Sequence, residues 1–442
     1  MEKLYTAAFY TLGCRVNQYE TRAVEEIFAA RGFRIAAFSE KCDVYVINTC
    51  TVTAESDRKS RQLIRRARTA GGKDAVVIAL GCMVQVDPDG AYSLDGPDAA
   101  LGNREKTRCA DVALALLHEK REKLVSVTDY TAVKTFEPMR ITGADTTRAF
   151  VKISDGCENR CAYCIIPRAR GPVCSKPVAD VVDEVNTLAA NGYREIVLTG
   201  IETASYGYDL PDTDLCDLIE RVSIIDGVER IRLGSLEPTF IKDGNISRLA
   251  AVNKLMPHCH LSLQSGSSAV LAAMRRRYNA TQFRHVVSLL RAHITDVTVT
   301  TDIIVGFPGE TEENFAETCD TVRDCRLLFA HIFPYSDRVG TEASARTDKI
   351  SESVKKARAA ALKEIMLDTR RAVIAGFLGS VRPMLVETVR NGIASGYTDN
   401  YIELRAKVPQ GVKKNDILPV RLLSLSEDAM TVRAEAVTSR EV

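Results

Sequence analysis

The sequence predicts an α/β fold in three parts: an N-terminal open parallel α/β sheet, a central partial (β/α)6 barrel, and a small C-terminal all-β barrel. Three observations carry this. Continuous apolar runs of strand length alternate with amphipathic helical patterns over about the first 125 residues, and again from Ala149. That is the pattern of parallel strands covered on both faces. The second region repeats strand and helix about six times in roughly 190 residues, fewer units than a closed eight-stranded barrel requires. After Gly376 helical periodicity gives way to short strands punctuated by Gly and Asn, the signature of a small barrel.

Taken in order, TAAFYTLGC reads as a strand and QYETRAVEEIFAARGF as an amphipathic helix ending at Gly32. DVYVINTC is a second strand, followed by a helix from Ser56 to about Arg68; DAVVIALGC is a third, and TRCADVALALLHEK a later helix. VTDYTAVKTFEPMRITGADTTR breaks the periodicity and reads as an interdomain linker. The next strands are AFVKIS, REIVLTGI, RIRLGSL, CHLSLQS, VTVTTDIIVGF and LLFAHIFPYS, with helices such as VADVVDEVNTLAANG and EENFAETCDTVRDC between them. SESVKKARAAALKEIMLDTRR is a long helix, and RPMLVETV, NGIASGYTDN, YIELRAKV, ILPVRLLSLS and AMTVRAEAV close the chain as strands. The resulting division is 1–125, a linker over 126–145, 146–372, and 373–438.

At 442 residues, 45% hydrophobic and 26% charged, the chain has the balance of a globular protein of several domains. Neither a membrane-length apolar run nor a signal peptide's apolar stretch is present, so no membrane partner and a cytoplasmic address are expected. A net charge of +1 excludes a polycation, so any nucleic-acid surface must be a local patch. The informative count is 13 cysteines. Disulfides are disfavoured in the cytosol, and some of these thiols are expected to hold metal or do chemistry.

Cys14, Cys50 and Cys82 each stand at the C-terminal end of one of the first three strands. In an open parallel sheet those ends share one edge, where ligands bind, so thiols distant in sequence converge. Taken singly, each is equally explained as a small buried hydrophobe. SDGCENRCAYCIIPRARG carries Cys157, Cys161 and Cys164 as CxxxCxxC in the loop after the first strand of the second region. Three thiolates on one loop suit three irons of a cubane and leave the fourth iron open. A structural zinc site wants four ligands, and Cys174 follows a Gly-Pro turn at unsuitable spacing. Cys42, Cys109, Cys216, Cys259, Cys319 and Cys325 fall in or beside helical or strand patterns and are assigned to packing.

CxxxCxxC with Tyr163 before the last cysteine resembles the radical S-adenosylmethionine (SAM) superfamily. TLGCRVNQYE, VINTCTVTAESDRKSRQLIRRA and ALGCMVQ resemble the N-terminal domain of its methylthiotransferases. EIVLTGI, IRLGSLEP, HLSLQSGS, MRRRY, TTDIIVGFPGETEENF and FPYSDRVGTEA extend the likeness over essentially the whole chain. NQYE and NREK (103–106) favour the branch acting on threonylcarbamoyladenosine in tRNA. The C-terminal module resembles a TRAM domain, an RNA-binding barrel. Met83-Val84 and Glu202-Thr203 depart from the family pattern; the second pair lies where it can adjust substrate fit.

The resemblance implies two 4Fe–4S clusters, one on Cys157, Cys161 and Cys164 and an auxiliary one on Cys14, Cys50 and Cys82. It also implies two SAM molecules per turnover, one as methyl donor and one as source of a 5′-deoxyadenosyl radical, with the radical activating C2 of the adenine. Partners implied are the tRNA anticodon loop, whose unpaired bases a protein can reach, and an electron donor such as flavodoxin or ferredoxin. Tyr163, Gly200, Ser235, Glu237, Gln264, Asp302, Gly306 and Tyr335 are the SAM-binding candidates at strand ends. For each of them, capping the next helix is the alternative. Phosphate contacts are expected from Arg58, Lys59, Arg61, Arg65 and Arg66, and from Arg275, Arg276 and Arg277, although a solvated face explains the first group equally. The rival substrates are isopentenyladenosine in tRNA and a ribosomal-protein aspartate. A rival of another class is an iron–sulfur RNA-binding or redox-sensing protein without catalysis.

Overall fold

The structure is a computed structural model describing residues 4–93, 96–119, 123–130 and 135–437. Residues 1–3, 94–95 and 120–122 of the expected first domain, 131–134 of the linker and 438 of the last module lie outside the described residues. The N-terminal part runs β1 (Thr6–Thr11), α1 (Arg15–Ala30), β2 (Arg34–Ala36), β3 (Val44–Thr49), α2 (Ala54–Gly71), β4 (Val76–Gly81), α3 (Cys82–Val86), α4 (Pro88–Tyr92), β5 (Ala99–Leu101), α5 (Cys109–His118) and β6 (Leu124–Ser126). Its six strands form one parallel sheet in the order β2-β1-β3-β4-β5-β6. Every residue of β3 and β4 is buried, as their uninterrupted apolar sequences require of central strands. The sequence reading found β1, β3 and β4 and missed β2, β5 and β6. Those are three residues each, too short to express a period.

The order reverses between β1 and β3. A crevice opens at such a reversal beyond the carboxyl ends of the strands, and Cys14 and Cys50 flank it. The sixteen-residue helix α1 packs between this sheet and the next element, β7 (Ala149–Asp155). Its buried Tyr19, Ala23, Val24 and Phe28 belong to a single apolar core that continues through Val151, Leu198, Leu261 and Val299. The expected linker is part of that core at Met139 and Ile141.

The middle part follows as α6 (Ile166–Arg170), β8 (Cys174–Ser175), α7 (Val178–Ala190), β9 (Glu195–Gly200), α8 (Leu215–Ser223), β10 (Arg230–Leu233), α9 (Asp243–Ala251), β11 (His258–Gln264), α10 (Ser268–Ala273), α11 (Ala280–His293), β12 (Thr298–Val305), α12 (Glu312–Asp324), β13 (Phe329–Pro334) and α13 (Glu352–Ala375). β7, β9 and β10 pair in parallel, as do β11, β12 and β13. The two groups are joined by the bridges Ile231↔Leu255 and Leu236↔Leu261. Six parallel strands therefore curl into an open barrel, with β8 adding a short antiparallel edge beside β7.

Beyond α13, β14 (Val381–Arg390), β15 (Ile393–Thr398), β16 (Glu403–Lys407), β17 (Ile417–Leu425) and β18 (Val432–Ala436) close a barrel in the order β14-β15-β16-β18-β17. All five strands fall where alternation in the sequence puts them. Gly396 is required at the β14–β15 crossing, because a side chain there would begin 1.9 Å from the Leu385 carbonyl oxygen. This module stoppers the N-terminal ends of the large barrel's strands. Arg232 donates to the Thr398 carbonyl at 2.8 Å, Thr298 donates to the Asn400 carbonyl, and His258 stacks on Tyr401 at 4.2 Å.

A buried ionic knot ties the N-terminal sheet to the large barrel. Glu20 of α1, wholly buried, accepts from Arg170 and from Lys152, and is paired with Lys106. Arg170 and Lys152 also pair with Asp155. Burial alone would raise the Glu20 carboxyl, but Arg170, Lys106 and Lys152 outweigh it and hold the group well below the usual carboxylate range. Removing one member leaves the others charged and unpaired in the interior, which costs about 3–5 kcal/mol. Glu20→Ala is therefore expected to lower the urea midpoint sharply by circular dichroism. Glu312→Ala, which removes an exposed partner of Arg358, should cost under about 1 kcal/mol.

Candidate active site

Cys14 begins α1, Cys50 follows β3 directly and Cys82 is the first residue of α3 after β4. The fold brings them together. A side chain built on Gly13, beside Cys14, would touch the Cys50 Sγ at 3.0 Å. The Cys14, Cys50 and Cys82 thiols also act on one another electrostatically. Gly13 has φ of +98°, a conformation open to glycine at no steric cost, and lets the Cys14 loop lie against Cys50.

Cys82 is bound to the second cysteine loop. Arg170, fully buried at the end of α6, donates Nε–H to Cys82 Sγ at 3.3 Å. Asn103 donates to the same sulfur at 3.5 Å and to the Ala169 carbonyl at 2.6 Å. Asn103 of the NREK stretch thus docks the N-terminal sheet onto the segment that follows Cys164, while Lys106 of the same stretch pairs with Glu20. Neither Arg170 nor its knot was singled out from sequence. Lys152 inside an otherwise apolar strand was the available signal, since a charge there needs a buried partner.

Cys157, Cys161 and Cys164 share the loop between β7 and α6, each partly exposed. Asn159 N–H points at Cys157 Sγ (3.4 Å), and Arg276 Nη1 donates to Cys161 Sγ (3.1 Å). Beneath the loop Ala162 packs with Val270, Met274, Phe307, Tyr335 and Ala343, and Tyr163 lies against that group. Glu237 ties the constellation together: it accepts from the Asn159 amide and stands 3.6 Å from Arg276 Nη2. Burial raises the Cys157 and Cys164 thiols to about 12 and Cys50 to about 11. Among the described residues no three His, Cys, Asp or Glu side chains are arranged around a single metal ion; a cubane binds its ligands at separate corners.

Between the cysteine loops and the C-terminal module lies a lumen of about 750 Å³ with walls from all three parts of the chain. Cys14, Gly200, Ser235 and Asp302 line it. Asp302 pairs with His260 at 3.2 Å, and His260 and His258 both contact Thr300 Oγ1. At Gly200 a side chain would begin 2.1 Å from Ser154 Oγ, so glycine preserves the opening. Gln264 ends β11 at a register shift, with φ of +65°.

Tyr163, Glu237, Gln264, Gly306 and Tyr335 stand outside the lumen lining. Gly306 is buried, donates its N–H to Glu310 and leaves no room for a side chain beside Lys355. Tyr335 is buried under the cysteine loop with its hydroxyl donating to Asp337. Arg276 has a side chain 6% exposed and directed at Cys161 and Glu237. Among the other basic candidates, Arg58 and Lys59 pair with Glu55, Arg61 with Asp87, and Arg275 with Glu342. Arg65, Arg66 and Arg277 are exposed. Cys42, Cys109, Cys216, Cys259, Cys319 and Cys325 are buried in the core.

Residues 6–102 match the family described as Uncharacterized protein family UPF0004, and residues 151–322 match the Radical SAM superfamily. The chain is 37% identical to the threonylcarbamoyladenosine tRNA methylthiotransferase MtaB of Bacillus subtilis, covering 90% of each protein. It is 35% identical to the protein of that name from Thermotoga maritima over 98% of each. Against the tRNA-2-methylthio-N(6)-dimethylallyladenosine synthase of Opitutus terrae the identity is also 35%, over 85% of this chain and 86% of the other. The radical SAM methyltransferase TsrM from Kitasatospora setae shares the fold, with a TM-score of 0.57, 15% identity and 77% of each chain covered. The two matched regions and relatives of this identity over nearly the full length show that the chain belongs to the radical SAM methylthiotransferase family.

Proposed function

We propose that the chain converts N6-threonylcarbamoyladenosine beside the tRNA anticodon to its 2-methylthio derivative. One observation carries the reading: Cys82 of the first cysteine trio is bonded to Arg170 and, through Asn103, to Ala169 on the segment that follows the second trio, and Cys14 lines a lumen of about 750 Å³. Membership of the family implies a 4Fe–4S cluster and SAM. Cys157, Cys161 and Cys164 would hold that cluster, and Cys14, Cys50 and Cys82 a second one. Bound there, the clusters and two SAM molecules supply reductive cleavage of SAM, a methyl group and the inserted sulfur.

The donor set fits such groups. N–H donors from Arg276, Asn159, Arg170 and Asn103 already point at cysteine sulfurs, as the outer partners of metal-bound thiolates do. With their thiols held protonated by burial, Cys50, Cys157 and Cys164 must release protons on loading. Asn159, Glu237 and Arg276 fix the shape of the cysteine loop, while Gly200, Ser235 and Asp302 present small and polar groups at the lumen wall. Phe150, Val197 and Leu233 supply an apolar lining that excludes water from the reacting ring. Arg65, Arg66 and Arg277 offer cations to the RNA backbone. An electron donor such as flavodoxin or ferredoxin and a sulfur source complete the requirements.

Three measurements test this. Nucleosides from a strain lacking the gene, separated by mass, should lose 2-methylthio-threonylcarbamoyladenosine and accumulate its precursor. Loss of the dimethylallyl product would instead move the substrate to that branch. Anaerobic reconstitution should give about eight irons per chain, about four after Cys157→Ala/Cys161→Ala/Cys164→Ala, and none once Cys14, Cys50 and Cys82 are also replaced. A wild-type value near four would reduce the N-terminal thiols to packing residues. Thirdly, burial first and Glu237 second raise the Glu202 carboxyl to about 7. Glu202 also acts electrostatically on Cys157, which puts its carboxyl beside the loop where SAM would bind; below that pH it is neutral, and above it an anion that favours the positively charged SAM. SAM affinity should therefore rise about 3- to 10-fold between pH 6 and 8, and Glu202→Gln should flatten the profile in equilibrium dialysis.

A further inference from the structure

Four arginines line the lumen, and three are already committed. Arg148 pairs with Glu387, Arg232 pairs with Glu195, and Arg370 donates to the Leu328, Ala429 and Met430 carbonyls. The fourth is Arg15, next in sequence to Cys14. Its guanidinium lies over the Phe150 ring at 4.7 Å, and its hydrogen-bond partner is the neutral Gln18 at 2.8 Å. Among the described residues no carboxylate pairs with it. The acids nearest in the adjoining cavity, Glu25 and Asp145, are taken by Arg22, and Asp302 across the lumen is taken by His260. Arg15 also acts electrostatically on His331, which lines the same space. Nor does the first turn of α1 hold an acidic residue, so nothing there answers the cation.

A cation held on an aromatic face and left without a counter-charge is arranged for an anionic ligand. Resting on the function proposed above, we infer that Arg15 is the specificity residue that binds the carboxylate of the amino-acid substituent on the target adenine. A threonylcarbamoyl group ends in a carboxylate; a dimethylallyl group is wholly apolar and offers Arg15 nothing. The carboxylate is one urea linkage from the ring whose C2 must approach the thiols. Arg15 and Cys14 line the same lumen, so a substituent on a ring brought to Cys14 lies beside the guanidinium. Discrimination comes from the pairing itself and from the cost of covering an unpaired guanidinium with an apolar substituent.

The test is binding by reconstituted enzyme to three labelled anticodon stem-loops, identical except that the target adenine carries threonylcarbamoyl, its neutral methyl ester, or dimethylallyl. Wild type should bind the charged loop about 10- to 100-fold more tightly than the ester, the range of a charge-assisted hydrogen-bonded pair. Arg15→Gln should bring that ratio close to one, Arg15→Lys should restore part of it, and iron content should be the same in all three proteins. A ratio that persists in Arg15→Gln overturns the inference. So does an equal weakening toward all three loops, which would make Arg15 a backbone-phosphate contact, and so does loss of iron, which would make it a support for Cys14. If wild type binds the charged loop and its ester equally, the inference fails while the tRNA reading stands. If wild type binds none of the loops, the tRNA reading itself fails.

Discussion

The relative placement of the two cysteine trios depends on one buried guanidinium. Arg170 spends its donors on Glu20, Asp155, Asn17 and the Cys82 sulfur, so a single planar group touches the N-terminal helix, the first barrel strand and one thiol of the auxiliary trio. A fully desolvated pair of this kind contributes little net stability, because taking the charges out of water offsets most of their attraction. What it supplies is register. Apolar surfaces slide against one another at small cost, whereas displacing Arg170 takes the guanidinium from two buried carboxylates, Glu20 and Asp155, at once. The single apolar core that runs through α1 into the barrel gives cohesion, and the ionic knot gives alignment.

The same division of labour explains which parts were legible in the sequence. The long strands were, because β3 and β4 are apolar on both faces and the last five strands alternate cleanly. The two cysteine sets were, because strand ends and a three-cysteine loop are local features. Arg170 and Arg276 were not. MRRRY reads as a phosphate-binding stretch and nothing local marks Arg170, and only the tertiary fold reveals that a sulfur lies opposite each. Gly306 and Tyr335 stand at strand ends, as the strand pattern predicts, but α13 packs over one and the cysteine loop over the other. Proximity to a ligand edge is a one-dimensional inference, whereas facing it is a three-dimensional one.

The lumen owes its shape to the C-terminal module as much as to the barrel. Six strands leave a barrel that does not close upon itself, with an open side and an open base. The N-terminal sheet covers the side through α1 and the Cys14 loop, and Tyr397, Tyr401 and Met430 of the last module line the base. A module expected to be simply an RNA-binding appendage is thus also a structural floor, held by Arg232, Thr298 and the His258–Tyr401 stack.

The bonds to Cys82 also set an order of maturation during synthesis. Arg170 follows Cys82 by 88 residues, which takes the ribosome roughly 4 to 18 s to add. During that interval the three N-terminal thiols have emerged, but neither the guanidinium nor the Ala169 carbonyl that orients Asn103 yet exists. The N-terminal sheet shares its apolar core with the barrel, and the wall around Cys82 is finished by a surface that only the later barrel provides. Cys82 therefore gains its Arg170 partner only once the barrel docks, so the surroundings of this thiol report whether the two parts of the chain have come together.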